Sequence, residues 1–184
     1  MTRIDHDHNQ APEPLRWRFS TQADLDFILA TEQAADNRQW IFQWTAEQHL
    51  AAMQEPDCRH LILEAVAENK ATATAETRRV GYALLYGFAN PNRAIELRRL
   101  AISEKGRGLG HAAMRLLAEL AFGQGKAHRF WLDLYETNSR ALHLYESEGF
   151  SREGLLRDHV LRDGSWHSFI VMSILEDEYR RRPQ

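Results

Sequence analysis

The chain has only one cysteine, Cys58, among its 184 residues. An internal disulfide framework is therefore excluded, and the sequence suits a reducing compartment. No apolar run approaches the roughly 20 residues that a membrane-spanning helix needs. The first residues, MTRIDHDHNQAPEP, also lack the apolar core of a signal peptide. Together these absences predict a cytoplasmic protein with no membrane partner.

An excess of positive charge is missing as well. The chain carries 23 Lys and Arg residues against 26 Asp and Glu residues, a formal net charge of −3, so nucleic acid is not an expected partner. The pair His6 and His8 has no further metal ligands nearby, and no metal is predicted. We interpret residues 1–14 as a flexible polar tail and residues 15–184 as a single domain, for which this length is sufficient.

Apolar periodicity predicts strands and helices that alternate before a final β-hairpin. Strands are predicted over 15–20, 60–67, 80–88, 94–103 and 128–135, with a hairpin over 152–175 that turns at Asp163-Gly164; helices are predicted over 22–35, 45–53, 109–121 and 139–148. The polar segment 68–79 is interpreted as a long mobile hairpin loop rather than a domain linker. This order is typical of a mixed α/β sheet with helices on both faces.

The strand over 94–103 has an irregular alternation. Ile95 and Leu97 share one face, but the next apolar residues, Leu100 and Ile102, follow after an odd number of positions. One extra residue near Arg98–Arg99 would place all four on the same face, so we predict a β-bulge there. A strand buried on both faces, which needs no alternation, is the alternative.

Three glycines precede the strongest helix pattern: Gly106, Gly108 and Gly110. The first N–H groups of a helix have no partner inside the helix, and its dipole favours a negative charge there. Glycines let phosphate oxygens approach those N–H groups, and Lys105 and Arg107 add positive charge. A need for positive φ angles alone is the alternative, but one glycine would satisfy it. The pattern therefore predicts an anion site.

A dinucleotide is one candidate anion, since residues 108–113 match G-x-G-x-x-A and Asp133 lies near the expected acidic position. The polar residues 103–105 separate the glycines from the preceding strand, however, and that fingerprint needs a tight turn. Only about half the chain follows, which is too little for the usual parallel strands. No Gly-Lys-Ser/Thr occurs, so a P-loop is excluded. Coenzyme A fits better, because it also carries a nucleotide-like diphosphate.

Residues from about 15 to 179 resemble the GCN5-related N-acetyltransferases, in particular the branch of the ribosomal-protein alanine and spermidine acetyltransferases. The diphosphate-binding motif of the family is Q/R-x-x-G-x-G/A. Residues 105–110 match it with lysine in the first place, and residues 107–112 match it fully. The later stretch NSRALHLYESEGF carries a second signature, made of Asn138, Ala141, Tyr145, Gly149 and Phe150.

This resemblance implies the acyl-CoA N-acyltransferase fold, a mixed and mostly antiparallel sheet in which one parallel strand pair splays apart. Acetyl-CoA would lie between strands 94–103 and 128–135. Backbone groups around Leu100, Ala101 and Ile102 would bind its pantetheine arm and polarise the thioester carbonyl. The other residues implied to bind it are Lys105, Gly106, Arg107, Gly108, Leu109, Gly110, His111, Ala112, Asn138, Ala141 and Tyr145.

The resemblance also implies roles in catalysis. Tyr145 is the expected general acid for the departing thiolate, with packing of its ring on the sheet as the alternative. Glu96 is the candidate general base, although an ion pair with Arg98 would explain it equally well and a water chain could replace it. Asn138 would contact the pantetheine or an acceptor-side water, or simply cap a helix.

The expected acceptor is a primary amine, on a small molecule, an amino acid or a protein N-terminus. Segments 35–44 and 162–169 line the acceptor side in this branch; the residues assigned to it are Asn37, Trp40, Phe42, Trp44, Trp166 and Ser168. Core packing is the alternative for each aromatic residue. Ser168 stands where related sequences often carry an aspartate, which argues against a polyamine. A homodimer, a non-catalytic acyl-CoA sensor and an NAD-binding dehydrogenase are left open.

Overall fold

The structure, a computed structural model, describes residues 14–69 and 74–182. The tail prediction for residues 1–14 falls almost wholly outside this range. The strands are β1 (Leu15–Phe19), β2 (Cys58–Asn69), β3 (Thr74–Tyr86), β4 (Ala94–Ile102), β5 (Arg129–Tyr135), β6 (Ser151–Arg162) and β7 (Ser165–Leu175). The α-helices are α1 (Leu25–Gln33), α2 (Ala35–Arg38), α3 (Ala46–Gln54), α4 (Leu109–Glu119), α5 (Ser139–Ser147) and α6 (Glu176–Arg180). A 3₁₀ turn over Gln22–Asp24 precedes α1, and a π-helical turn over Leu120–Gln124 extends α4.

The seven strands form one sheet in the order β1-β2-β3-β4-β5-β7-β6. Neighbouring strands pair antiparallel except β4 and β5, which pair in parallel. Helices α1 and α3 cover one face, and α4 with α5 covers the other. The predicted mixed and mostly antiparallel α/β fold is confirmed. None of the described helices is long and apolar enough to cross a membrane.

The long loop predicted over 68–79 was wrong. Strand β2 runs to Asn69 and β3 begins at Thr74, so only 70–73 separate them, and these four residues lie outside the described chain. The pairing Val66↔Thr77 continues the ladder well into the segment. Threonine favours strands, and Glu76, Thr77 and Arg79 are exposed. The polar composition of this segment therefore reflects strand ends that are exposed to solvent rather than a long loop.

The predicted bulge in β4 is confirmed. Leu84 of β3 pairs with Arg99 and Leu85 pairs with Leu97, so Arg98 is the extra residue. As a result Ile95, Leu97, Leu100 and Ile102 all pack toward α4. Ala101 packs on the opposite side, with the residues beneath α1 and α3. The bulge therefore keeps one apolar face continuous along β4, and the irregular alternation in the sequence is its trace.

Strands β4 and β5 diverge immediately after they begin. Only three pairs join them, Ala94↔Arg129, Ile95↔Phe130 and Glu96↔Trp131. Beyond that point β5 keeps its pairing with β7 through Tyr135, while β4 continues alongside β3. The sheet opens into a V, and the edge of β4 from Leu97 to Ile102 faces the opening without a ladder partner on β5.

The C-terminal hairpin turns where the sequence predicted. Asp163 and Gly164 have φ angles of 51° and 78°, and positive φ at both central residues defines the type I′ turn that matches the twist of two antiparallel strands. Strand β7 lies next to β5, and β6 forms the edge of the sheet. The hairpin therefore brings one face of its strands to the open side of the V.

Candidate active site

A cleft of about 930 Å³ occupies the opening between β4 and β5. Besides β4 and β5, its walls come from four other parts of the chain. The glycine turn and the start of α4 form one end, α5 forms a side, and the segment 36–44 together with the β6–β7 hairpin forms the other end. We call the first the donor end and the last the acceptor end.

At the donor end the three glycines serve two purposes. Gly106 and Gly108 have φ angles of 79° and 70°, in the left-handed region that favours glycine, and α4 begins directly afterwards at Leu109. Gly110 serves packing, since a Cβ there would lie 3.3 Å from Cδ2 of Leu144 on α5. The first N–H groups of α4 are therefore presented at the cleft without bulky side chains.

Positive side chains surround this turn. Lys105 Nζ donates to Asn37 Oδ1 at 2.5 Å. Burial, and then the nearby charge of Arg140, lowers the pKa of Lys105. Arg140 also lines the cleft. Like charges this close repel each other, and a bound diphosphate would relieve that repulsion. Arg140 belongs to neither of the two motifs and was not singled out from the sequence.

Most of the residues implied to bind acetyl-CoA do line the cleft: Leu100, Ile102, Lys105, Gly106, Gly108, Leu109, Gly110, His111, Asn138, Ala141 and Tyr145. Three lie outside its lining. Ala101 points to the core beneath α1. Arg107 is not part of the lining and pairs with Glu104 at 2.9 Å. Ala112 lies one turn into α4, where its N–H donates to Gly108 O at 3.2 Å, so helix geometry removes it from the turn.

Tyr145 lies on α5, midway between the two ends. Asn138 caps this helix, its Oδ1 accepting from Ala141 N at 3.1 Å, so the capping role considered for Asn138 is present. The Tyr145 ring packs against Phe150, with 5.9 Å between ring centroids. Burial, and secondarily the charge of Asp133, raises the pKa of Tyr145 to about 12. Its hydroxyl has no hydrogen-bond partner within 14–69 and 74–182.

Two carboxylates line the cleft near the point of divergence, and their surroundings differ. Glu96 on β4 is held by Arg98, whose Nη2 lies 2.7 Å from Oε2 and whose Nε lies 3.2 Å from Oε1. Asp133 on β5 is partly buried and has no hydrogen bond or ion pair within the described chain. Burial, and then the charge of Glu96, raises the pKa of Asp133. From the sequence, Asp133 was considered only as a nucleotide ligand; the signal for its place in the cleft was its isolation as a charged residue within the apolar run FWLDLY.

The acceptor end is aromatic. Tyr135 at the end of β5 contacts Trp40, Phe42 and Phe169, with ring centroids 6.0, 6.4 and 4.5 Å away. Arg162 of β6 ties these parts together. Its Nη1 donates to Gln39 O at 3.0 Å and to the Tyr135 hydroxyl at 3.1 Å. Neither Tyr135 nor Arg162 was singled out from the sequence.

The other residues assigned to the acceptor side divide into two groups. Asn37 and Trp44 line the cleft. Trp166 and Ser168 do not: the Trp166 side chain is 60% exposed, and Ser168 Oγ accepts from Asp158 N at 3.2 Å. Alternation along β7 explains the difference, since Phe169 faces Tyr135 and the residues of opposite parity face away. The structure does not bring Trp166 and Ser168 to the site.

A buried polar network supports the acceptor end from below. Glu32 accepts hydrogen bonds from the Tyr82 hydroxyl, from Arg99 Nη1 at 2.7 Å and from Trp44 N at 3.1 Å. Next to it His49 Nδ1 lies 3.0 Å from His60 Nε2. Burial, and then the charge of His49, lowers the pKa of His60 to about 3. Five distant segments meet here, and no local pattern in the sequence indicated it.

Comparison with known proteins decides the family. Residues 25–150 match the model of the acetyltransferase (GNAT) family. The chain belongs to this family. It is 23% identical to the spermidine N(1)-acetyltransferase of Escherichia coli K12 over 157 residues, which cover 85% of this chain and 83% of that protein. It is 34% identical to the streptothricin acetyltransferase of Streptomyces lavendulae over 83 residues, 45% of this chain and 42% of that protein.

The fold agrees with this assignment. The crystal structure of spermidine N-acetyltransferase from Vibrio cholerae in complex with CoA and spermine superposes with a TM-score of 0.78 at 20% identity, covering 91% of this chain and 99% of that one. The predicted family, its fold and acetyl-CoA as the donor are confirmed, and the chain is a GNAT N-acetyltransferase. The NAD and sensor alternatives gain no support; a sheet with one parallel pair is not the Rossmann arrangement.

Proposed function

We propose that this enzyme transfers the acetyl group of acetyl-CoA directly to a primary amine held at the acceptor end. One observation carries the proposal: a single cleft runs from the glycine turn, past Tyr145, to the aromatic cluster around Tyr135. The thioester and the amine can therefore meet at Tyr145 without a covalent enzyme intermediate. In this scheme the chain's own groups bind, orient and move protons.

The donor end supports binding through the backbone. The N–H groups at the start of α4 and the side chains of Lys105 and Arg140 are available to the diphosphate. The pantetheine arm would follow the edge of β4, whose backbone past Glu96 has no partner on β5. A free backbone N–H on this edge would donate to the thioester carbonyl and stabilise the oxyanion that develops on attack.

Tyr145 would then donate its proton to the sulfur as the thiolate leaves. A pKa near 12 keeps the phenol protonated throughout the physiological range. The same partly buried surroundings also disfavour a charged thiolate and raise the pKa of the departing thiol. The pKa values of the Tyr145 phenol and of the departing thiol are thus both raised, which keeps proton transfer from the phenol to the sulfur favourable.

The acceptor end supports an amine with an apolar body. Trp40, Phe42 and Tyr135 offer faces for contact, and carboxylates of Glu96 and Asp133 lie at the inner limit of this region. A small amine fits this combination best, with amino acids and peptide N-termini as the other members of the class. Ser168 lies outside the cleft, so its identity no longer counts against polyamines, and spermidine belongs in the test.

The test is release of CoA thiol from acetyl-CoA with four acceptors: spermidine, phenethylamine, free lysine and a tripeptide with an unblocked N-terminus. We expect thiol release that depends on the acceptor, with the acetylated amine identified by mass spectrometry. If none of the four is acetylated while acetyl-CoA binds in calorimetry, the proposed transfer to this class of amine is wrong. The same preparations give the oligomeric state; a homodimer, a cytoplasmic location and a single domain over 15–184 stay predictions.

A further inference from the structure

Three arginines of the described chain line the cleft, and they differ in what already binds them. Arg98 is committed to Glu96 through two hydrogen bonds, and Arg140 belongs to the donor end. Arg99 lies at the acceptor end, because its Cζ is 4.4 Å from the centroid of the Trp44 ring and Trp44 is part of the wall there. Arg99 is therefore the guanidinium that an acceptor can meet.

The Arg99 guanidinium has hydrogen-bond donors to spare. A guanidinium carries five N–H donors in a planar fork and keeps its charge in proteins. Arg99 Nη1 donates to Glu32 Oε1 at 2.7 Å, and the Tyr82 hydroxyl is a second polar neighbour. Arg99 forms no other hydrogen bond or ion pair within the described chain. In that part of the chain only His49 Nε2 and Arg182 Nη2 are sealed from solvent without a partner, so the free nitrogens of Arg99 keep access to the cleft.

The network beneath Arg99 holds the guanidinium in place without saturating its charge. Glu32 also accepts hydrogen bonds from the Tyr82 hydroxyl and from Trp44 N, and His49 Nε2 lies 3.4 Å from its Oε1. The negative charge of Glu32 is thus shared among several donors. The guanidinium is fixed at one edge by this carboxylate and on one face by the Trp44 ring. A fork that is already fixed loses little conformational freedom when a ligand binds to it.

We infer that Arg99 binds a carboxylate of the acceptor, and that the preferred acceptors are amino acids or other amines with a carboxylate close to the amino group. This inference rests on the proposed function and narrows its class of amine. A carboxylate is the planar anion that matches the guanidinium fork. The diphosphate of the acetyl donor is assigned to the other end of the cleft, so it does not compete for Arg99. The aromatic cluster around Tyr135 is left to contact an apolar side chain of the amino acid.

The test uses matched acceptors that differ by a single carboxylate. Phenylalanine is phenethylamine with a carboxylate added, and leucine is isoamylamine with a carboxylate added. Each member of the two pairs is supplied to the wild type with acetyl-CoA at one pH, and the release of CoA thiol gives kcat/KM. A hydrogen bond to a charged group contributes about 10–10²-fold to an equilibrium constant. We expect the wild type to prefer the carboxylate-bearing member of each pair by that factor.

Arg99→Gln removes the charged fork. We expect kcat/KM for phenylalanine to fall by about 10–10²-fold and that for phenethylamine to change by less than about threefold. Because this variant leaves the Glu32 carboxylate buried without its main partner, the double variant Glu32→Gln/Arg99→Gln removes both charges together and should lose the same preference. Arg140→Gln takes a guanidinium from the donor end. It should raise the Kd for acetyl-CoA and leave the preference for phenylalanine over phenethylamine as in the wild type.

Equal losses for both members of a pair in Arg99→Gln would mean that Arg99 only holds Trp44 in place, and that result would overturn the inference. So would a wild type that acetylates phenethylamine and isoamylamine as well as it does the matching amino acids. The second result needs no variant, so misfolding cannot hide it. An unchanged Kd for acetyl-CoA in calorimetry shows that the Arg99 variants have folded. A wild type that acetylates no amine at all, spermidine included, would instead count against the proposed function itself.

Discussion

The two ends of the cleft are built in different ways. The donor end is built mainly from one continuous stretch, residues 105–110, whose backbone leads into α4, with the side chains of Lys105 and Arg140 beside it. The acceptor end gathers side chains from 36–44, from β5 and from the hairpin, and Arg162 joins them through backbone carbonyls and a phenol. One end is defined by local conformation, and the other exists only after the sheet has formed.

The difference bears on what each end can recognise. Backbone N–H groups at a helix start bind any diphosphate of suitable shape, so this end suits a donor shared across a family. Side chains brought together by tertiary packing can change one at a time without disturbing the donor end. The choice of acceptor is therefore expected to depend far more on Trp40, Phe42, Asp133 and Tyr135 than on the motif residues of the donor end.

The largest effect is expected where the two ends meet. Tyr145→Phe removes the hydroxyl and keeps the ring packed on Phe150, so the transition state loses its proton donor while the donor end is untouched. We expect kcat to fall by about 10²–10⁴-fold with an unchanged Kd for acetyl-CoA. Steady-state kinetics and calorimetry measure the two quantities. Full turnover in Tyr145→Phe would remove Tyr145 from the mechanism.

The next effect concerns the buried network beneath the acceptor end. The pKa of His60 is about 3 in the folded protein and about 6.5 when unfolded. The unfolded state therefore binds more protons between these values, and this histidine makes stability fall as the pH falls. From pH 6.5 to pH 5 the cost is about 2 kcal/mol.

His60→Gln keeps a polar side chain and removes this titration. Its free energy of unfolding in urea should fall less than that of the wild type between pH 7 and pH 5, because only the wild type loses the His60 contribution. His143→Gln, an exposed histidine on α5, is the control and should follow the wild type. Equal pH slopes in wild type and His60→Gln would show that the unfolding reaction does not protonate His60.

The same contrast explains what the sequence could predict. The glycine turn, the capped helix with Tyr145 and the bulge at Arg98 are local, and each left a pattern of spacing or alternation that could be recognised. The surroundings of Arg162 and Asp133 come from other elements, and the hydrogen-bond partners Tyr135 and Gln39 of Arg162 lie 27 and 123 residues away along the chain. Trp166 and Ser168 were assigned to the acceptor side, but they lie outside the cleft. Which residues of β7 face Tyr135 is set by the β5–β7 register, and this register cannot be read from the sequence.

Gly108 offers a test of the donor end alone. Its φ of 70° lies in the left-handed region, but a Cβ there would meet nothing within 4 Å. The cost of Gly108→Ala is therefore conformational, about 1–2 kcal/mol, and the turn should be distorted. We expect Kd for acetyl-CoA to rise about tenfold while KM for the amine changes little. Gly123→Ala, in the π-helical turn with negative φ and equally open space, should bind acetyl-CoA like the wild type.

The smallest effect is expected at the acceptor end, where Arg162 joins the hairpin to the segment around Gln39. Arg162→Gln loses the hydrogen bonds to Gln39 O and the Tyr135 hydroxyl, so the aromatic cluster is held less firmly. A net loss of about 1 kcal/mol corresponds to a roughly fivefold higher KM for the amine, with Kd for acetyl-CoA unchanged. Arg157→Gln, an exposed change on the same strand, should alter neither constant. If Arg162→Gln instead weakens acetyl-CoA binding and leaves the amine KM alone, the two ends are not independent, because a side chain of the acceptor end would then be shaping the donor end.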